Sequence, residues 1–284
     1  MFVSTSLKIR PMKSLEIDFA MKLAATEGWN PGLNDGPVFF RTDPNGFFVA
    51  EYNDELIGCI SAVKYSREFG FIGLYIVKPE FRGKGIGMQL WNKAIRYLDG
   101  TNIGLDGVVE QQNNYQKSGF SFAYNNIRFR YRHNKSFATS KSVRIVQSTD
   151  LNKVIEFDYT YFPANRSAFL PLWLFQTDGQ AYLITQKNKI TGLIVIRKCI
   201  NGYKIGPLYA ADINIANVLF QSALTKIPLD SMVYLDIPEP NANANQLASH
   251  HQMEKVFETA RMYTKYTPNI NLQNIYGVTT FELG

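Results

Sequence analysis

Apolar residues along this chain change their period in an orderly way. Phe48-Val-Ala-Glu-Tyr-Asn-Asp-Glu-Leu-Ile-Gly58 alternates apolar and polar, breaks at Asn-Asp, and resumes. That pattern predicts two strands joined by a tight turn. Tyr182-Leu-Ile-Thr-Gln-Lys-Asn-Lys-Ile-Thr-Gly192 repeats it. The run Gly-Phe-Ile-Gly-Leu-Tyr-Ile-Val ending at Val77 reads as a buried strand, and Leu90, Trp91, Ala94, Ile95 and Leu98 fall on one face of a helix. The first half is therefore expected to hold strands near 6–11, 46–53, 56–65, 68–77, 103–109 and 121–132. Its helices are expected near 14–27, 33–41, 85–99 and 111–118.

The same order recurs in the second half. Leu15 matches Leu151, Gly58 matches Gly192, Gly73 matches Gly206, Ala94 matches Ala223, and Leu105-Asp106 matches Leu235-Asp236, in sequence and at nearly constant spacing. The chain thus reads as a tandem duplication of one mixed α/β unit, with a mixed sheet in each copy. The expected division is a first domain at 1–134, a polar linker at 135–142 and a second domain at 143–284.

Composition narrows the class. Of the 284 residues, 45% are hydrophobic and 19% charged, which is ordinary for a globular protein. No apolar run reaches the ~18 residues of a membrane span, and no secretory leader is evident, so a cytoplasmic protein without a membrane partner is expected. Cys59 and Cys199 suit buried thiols in a reducing compartment, and with three histidines they show no metal-ligand spacing; no metal is expected. The net charge of +6 is spread over both halves: 17 Lys and Arg against 13 Asp and Glu in 1–140, and 13 against 11 in 141–284. Without a dense basic patch, nucleic acid is not an expected partner. Arg128, Arg130 and Arg132 alternate along one strand face, as on a solvated edge strand.

The sharpest local signal is Val77-Lys-Pro-Glu-Phe-Arg82-Gly83-Lys84-Gly85-Ile86-Gly87. A strand ends, Pro79 stops its pairing, and glycines open an amphipathic helix. Free first-turn amides and the helix dipole suit a pyrophosphate, with Arg82 and Lys84 adding charge. The other reading is a glycine-rich turn with exposed cations. The spacing fits neither a Walker loop nor a dinucleotide-binding loop.

Arg82 to Gly87 resembles the Arg/Gln-x-x-Gly-x-Gly/Ala signature of the GNAT N-acetyltransferase superfamily. Tyr115-Gln-Lys-Ser-Gly119-Phe120 looks like that family's closing Tyr-x-x-x-Gly-Phe element. Together with the degenerate second half, this points to a two-domain GNAT subgroup. The resemblance implies the acyl-CoA N-acyltransferase fold in tandem and an enzyme using acetyl-CoA as cosubstrate. The acceptor would be an amine of a small molecule or peptide. A non-catalytic acyl-CoA sensor is the alternative. It further implies that Tyr75, Ile76 and Val77 hold the pantetheine arm and that Arg82, Gly83, Lys84, Gly85, Ile86 and Gly87 hold the phosphates. Tyr115 is the implied general acid, or else a ring packed on the helix. Trp29 and Asn30 border the implied acceptor pocket, and Lys117 could lie near the adenosine phosphates. No acid falls within 69–77 to serve as a base, and Glu68 and Glu110 only flank that stretch.

In the second copy the loop reads Ala211-Asp212-Ile213-Asn214-Ile215-Ala216 and Gly119-Phe120 becomes Gln252-Met253. This copy is expected not to bind coenzyme A, and to support or wall the acceptor cleft. Asp158, Arg166 and Asp236 are its polar candidates, as contributors to that wall or as structural ion pairs.

Overall fold

The computed structural model describes residues 7–284. In the first half the elements are β1 (Leu7–Pro11), α1 (Ile17–Thr26), α2 (Asp35–Thr42), β2 (Phe47–Tyr52), β3 (Glu55–Lys64), β4 (Phe69–Val77), α3 (Ile86–Tyr97), β5 (Asn102–Val108), α4 (Gln112–Lys117) and β6 (Ser121–Arg132). Each strand and helix expected there is present, with ends displaced by a few residues. The second half contains β7 (Val143–Ile145), α5 (Leu151–Asp158), α6 (Leu170–Leu174), β8 (Gly179–Gln186), β9 (Lys189–Lys198), β10 (Tyr203–Ala210), α7 (Ile213–Leu224), β11 (Met232–Pro238), α8 (Ala242–His250), β12 (Glu254–Tyr263) and β13 (Ile275–Gly277). Among the described residues no helix is long and apolar enough to cross a membrane.

All strands join one mixed sheet in the order β1-β2-β3-β4-β5-β12-β6-β11-β10-β9-β8-β7, with β13 on β10. The two copies have exchanged their last long strands. β12 lies antiparallel between β5 and β6, and β6 runs antiparallel to β11 along Arg132↔Met232 to Asn126↔Pro238. The expectation of a solvated edge strand at Arg128, Arg130 and Arg132 is therefore overturned. β6 is interior to the sheet, and the arginines pair with Asp236, Glu254 and Asp230 respectively, all from the other copy. Alternation along a strand specifies its two faces but not its neighbours.

Duplication shows in the parallel pairs. β4 and β5 are paired only from Phe69↔Asn102 to Ile72↔Leu105, and β10 and β11 only from Tyr203↔Val233 to Ile205↔Leu235. Beyond those points each pair splays. In the second copy the gap is filled by β13, which pairs with β10 at Leu208↔Gly277. In the first copy it stays open.

The apolar residues of β2, β3 and β4 divide between two faces, and the irregularity at Leu74 puts Ile72 and Leu74, two residues apart, on opposite ones. Val49, Cys59, Val63, Leu74 and Ile76 pack under α1 and α2 in a core continuous with Leu183, Leu193, Val195 and Trp173 of the second copy. Phe48, Ala50, Ile60 and Ile72 face the opposite way, onto Leu90, Trp91 and Ala94 of α3 and Leu98 just after it. Buried ion pairs also cross between the copies: Arg197 with Asp35, Arg128 with Asp236, and Arg261 with Asp106. Asp158 and Arg166 pair with each other inside the second copy, both side chains 0% exposed.

Candidate active site

The open splay of the first copy forms a cleft of about 1030 Å³. One wall is β4 from Ile72 to Val77. At Leu74 the backbone turns left-handed, φ +46°, where the β3–β4 register shifts between Cys59↔Ile76 and Ser61↔Gly73. A left-handed non-glycine residue costs about 1–2 kcal/mol, and a β-bulge re-aims the groups beside it. Buried Cys59 steadies it, its thiol donating to the Leu74 carbonyl at 3.2 Å. Burial pushes that thiol's pKa up to about 12, so it stays protonated.

At the end of β4 the chain enters the glycine turn. Gly83 (φ +74°) and Gly85 (φ +75°) are both left-handed, and a Cβ at either would meet open space. Gly85 is the N-cap of α3, and no side chain among the described residues caps that helix start. The first-turn amides therefore remain available for an anion, as the dipole favours. Gly87 is small for a different reason: a side chain there would strike the Tyr75 hydroxyl at 2.6 Å.

The second copy differs at the matching place. Asp212 is the N-cap of α7, and its own carboxylate accepts from the Ile215 amide at 2.9 Å. The helix start that would receive a phosphate is already occupied by a charged cap. With β13 filling the neighbouring gap, this copy lacks both parts of the site. The closing turns correspond as well: Phe120 donates its amide to Tyr115 and Met253 donates to Ala248, so alanine stands where the first copy has Tyr115.

Tyr75, Ile76, Val77, Arg82, Gly83, Gly87, Tyr115, Lys117 and Trp29 all border the cleft. Lys84, Gly85 and Ile86 complete the turn between Gly83 and Gly87. The Lys84 ammonium sits over the Phe81 ring, 5.2 Å from its centre, and the Ile86 side chain enters the core. The Arg82 guanidinium donates to the Val77 carbonyl at 2.8 Å and pairs with Glu27, so it ties α1 to the end of β4. Asn30 is not brought to the cleft. Its amide bonds the 199–201 turn, accepting from the Asn201 backbone at 2.8 Å and donating to the Cys199 sulfur at 3.2 Å.

Tyr115 lies on α4 with its ring 5.6 Å from that of Trp91. Gly107 on β5 makes room for it, since any Cβ there would overlap the Tyr115 ring. Its hydroxyl makes no hydrogen bond among the described residues. Burial, with the neighbouring Tyr75, pushes its pKa up to about 12, so the phenol keeps its proton through the neutral range.

The far wall was not foreseen from the motifs. It is made by Phe257 and Thr259 of β12, by Phe281 and Glu282, and by Arg128 of β6. Arg128 bonds both Asp236 oxygens at 2.7 and 2.8 Å and donates its remaining arm to the Trp29 carbonyl at 2.9 Å. That carbonyl also accepts from Lys204 at 3.0 Å. Trp29 is thus held at the cleft by its backbone. Asp158, Arg166 and Asp236 lie in the interior and do not line the cleft. No local motif could have marked Phe257 or Glu282, because strand exchange and the closing segment carry them in.

Comparison with known proteins agrees with this geometry. Residues 15–120 match the family model described as "Acetyltransferase (GNAT) family", and residues 154–277 match one described as "Acetyltransferase (GNAT) domain". A holothin acyltransferase of Pseudoalteromonas sp. (strain SANK 73390) is 31% identical over 275 residues, covering 97% of this chain and 94% of that protein. Among solved structures, a putative acetyltransferase from Pyrococcus horikoshii superposes with a TM-score of 0.84 at 20% identity, over 100% of this chain and 98% of that one. A tandem GNAT protein from the clavulanic acid biosynthesis pathway gives 0.64 at 12% identity, over 93% and 100%. Two matching family domains in one chain and a relative 31% identical over nearly its whole length make the chain a member of the GNAT acetyltransferase family in its tandem form.

Proposed function

We propose that the chain transfers an acetyl group from acetyl-CoA to the amine of a small molecule or peptide. In this reading 1–134 binds the donor, 135–142 is a linker, and 143–284 buttresses the first copy and walls the acceptor side. The observation that carries the proposal is the contrast between the two helix starts. Gly83 and Gly85 leave the amides of α3 open beside a splayed strand pair, whereas Asp212 closes the equivalent end of α7. The backbone amides of 83–87 would take the pyrophosphate, with Lys117 near the adenosine end. The free edge of Tyr75, Ile76 and Val77 would hold the pantetheine arm by main-chain bonds. Tyr115 would give its phenolic proton to the departing sulfur, and Trp29 would face the acceptor.

The alternative of an acyl-CoA sensor shares the donor site. Tyr115 at the cleft favours the transferase, as does a relative named for acyl transfer to holothin. The exchanged strands make separately expressed halves an unsound test, so the full chain is used. Calorimetry is expected to give one acetyl-CoA per chain, and thiol release with a panel of amines to show steady turnover. Binding without turnover on any amine selects the sensor; absence of binding overturns both.

A further inference from the structure

A transferase needs a group that accepts the proton the amine loses, and β4 offers none. Three carboxylates from other elements line the cleft: Glu27 is paired with Arg82 and Asp106 with Arg261, which leaves Glu282. After β13 the chain leaves the second copy's gap with the Val278 amide on the Asp236 carbonyl at 2.8 Å. It passes Gly206, where a side chain would overlap the Thr279 carbonyl, and reaches Gly73, where one would overlap the Glu282 carbonyl. These two glycines are the matched pair of the duplication. Both are therefore small because one segment threads between the copies.

The segment 280–284 is firmly seated. The Gly284 amide bonds the Thr280 carbonyl at 3.1 Å, and the Tyr65 hydroxyl donates to the Leu283 carbonyl at 2.9 Å. Arg166 donates to the Gly284 oxygen at 3.1 Å. Glu282 is only 4% exposed yet borders the acyl cleft beside Leu74, Phe281 and Arg128. Thr280 donates to its Oε2, while Oε1 has no partner among the described residues. Arg128 does not neutralise it by a direct ion pair: Nε and Nη2 are on Asp236 and Nη1 is on Trp29. Arg128 and Lys204 act on it only through space, and a nearly buried carboxylate with no ion pair of its own has room for a donor from the ligand.

We propose that Glu282 holds the acceptor amine and takes its proton, a role that rests on the transferase reading above. The amine nitrogen attacks the thioester carbonyl carbon and the N–C bond forms. A proton from that nitrogen passes to Glu282 Oε1. The C–S bond breaks, the sulfur takes the Tyr115 proton, and the products are an amide and a free thiol. Glu282 then releases its proton to water and Tyr115 regains one. No electrons are gained or lost overall. Phe257 and Phe281 line the same cleft and would seat the apolar body of the amine.

Glu282→Gln keeps the shape and the bond from Thr280 but removes the charge. The full chain and this variant are titrated with acetyl-CoA and then assayed for thiol release with benzylamine, tryptamine and a tripeptide with a free amino terminus. The expected result is turnover by wild type on at least one amine and a fall in kcat/KM of about a hundredfold or more in the variant. The acetyl-CoA dissociation constant should stay within about threefold. A variant within about threefold of wild type in kcat/KM overturns the role of Glu282. Acetyl-CoA binding by wild type without transfer to any of the three amines favours the sensor and removes the transferase reading on which the role rests. Failure of wild type to bind acetyl-CoA is the separate failure of the transferase reading. Should Glu282→Gln not fold, Glu282→Asp draws the charge back by one methylene and carries the same comparison. A fall in kcat/KM at unchanged donor affinity supports the role, and wild-type kinetics refutes it.

Discussion

Replacing Gly85 by valine tests the donor site at its centre. Gly85 has φ +75° and caps α3 without a side chain, and a Cβ there would meet nothing within 4 Å. The folded protein therefore suffers the left-handed backbone but no packing clash, about 1–2 kcal/mol. For a chain of this size that lowers the melting temperature by only a few degrees, at about 2–4 °C per kcal/mol. The effect on the ligand is larger. A branched side chain projects into the space above the free amides, where the pyrophosphate would sit. Losing two charge-assisted hydrogen bonds at about 1.5–3 kcal/mol each weakens binding by about 3–6 kcal/mol. At about 1.4 kcal/mol per tenfold that is a rise of roughly 10²- to 10⁴-fold in the dissociation constant for acetyl-CoA. Calorimetry on the folded variant, checked by a thermal melt, measures both quantities. An unchanged dissociation constant would refute the assignment of this turn. A fall in melting temperature of 10 °C or more would show instead that the turn is packed, against the open space seen around it.

Tyr115→Phe retains the ring against Trp91 and removes only the proton donor; kcat should fall by about 10²- to 10⁴-fold with acetyl-CoA affinity changed less than about threefold, read by steady-state kinetics and calorimetry. Asp158→Asn leaves Arg166 buried without its charge partner, and urea unfolding should show a loss of about 3–5 kcal/mol. His251 is buried, and burial, with the nearby His250 and Lys135, holds its pKa down to about 4. Because the unfolded chain takes up that proton near pH 6.5, the stability is present above 6.5 and is lost as pH falls toward 4. The urea midpoint should drop across that window and His251→Gln should drop less; equal slopes would show that other groups are responsible.

Local pattern was enough to determine the elements of the first half, the duplication and the glycine turn that opens α3. Period-two alternation, a Pro stop after Val77 and three glycines before an amphipathic helix are short-range statements, and the backbone obeyed them. The match of Gly73 to Gly206 was legible too, though its reason was not: both make way for one segment from the other end of the sequence. The sequence showed Asp212 where the first copy has its glycine loop, and the structure adds that it caps its own helix. Long-range assembly decided the rest. Main-chain pairing carries no side-chain identity, so nothing in Ser121–Arg132 announced that β6 would sit between β11 and β12 of the other copy. Asn30 fell on the 199–201 turn, and Arg82 on Glu27, because each is satisfied by a partner its own segment does not specify. The far wall of the cleft, Phe257, Phe281 and Glu282, lies on a strand and a closing segment with no motif of their own, and became part of a site only when strand exchange and the threaded segment carried them to β4.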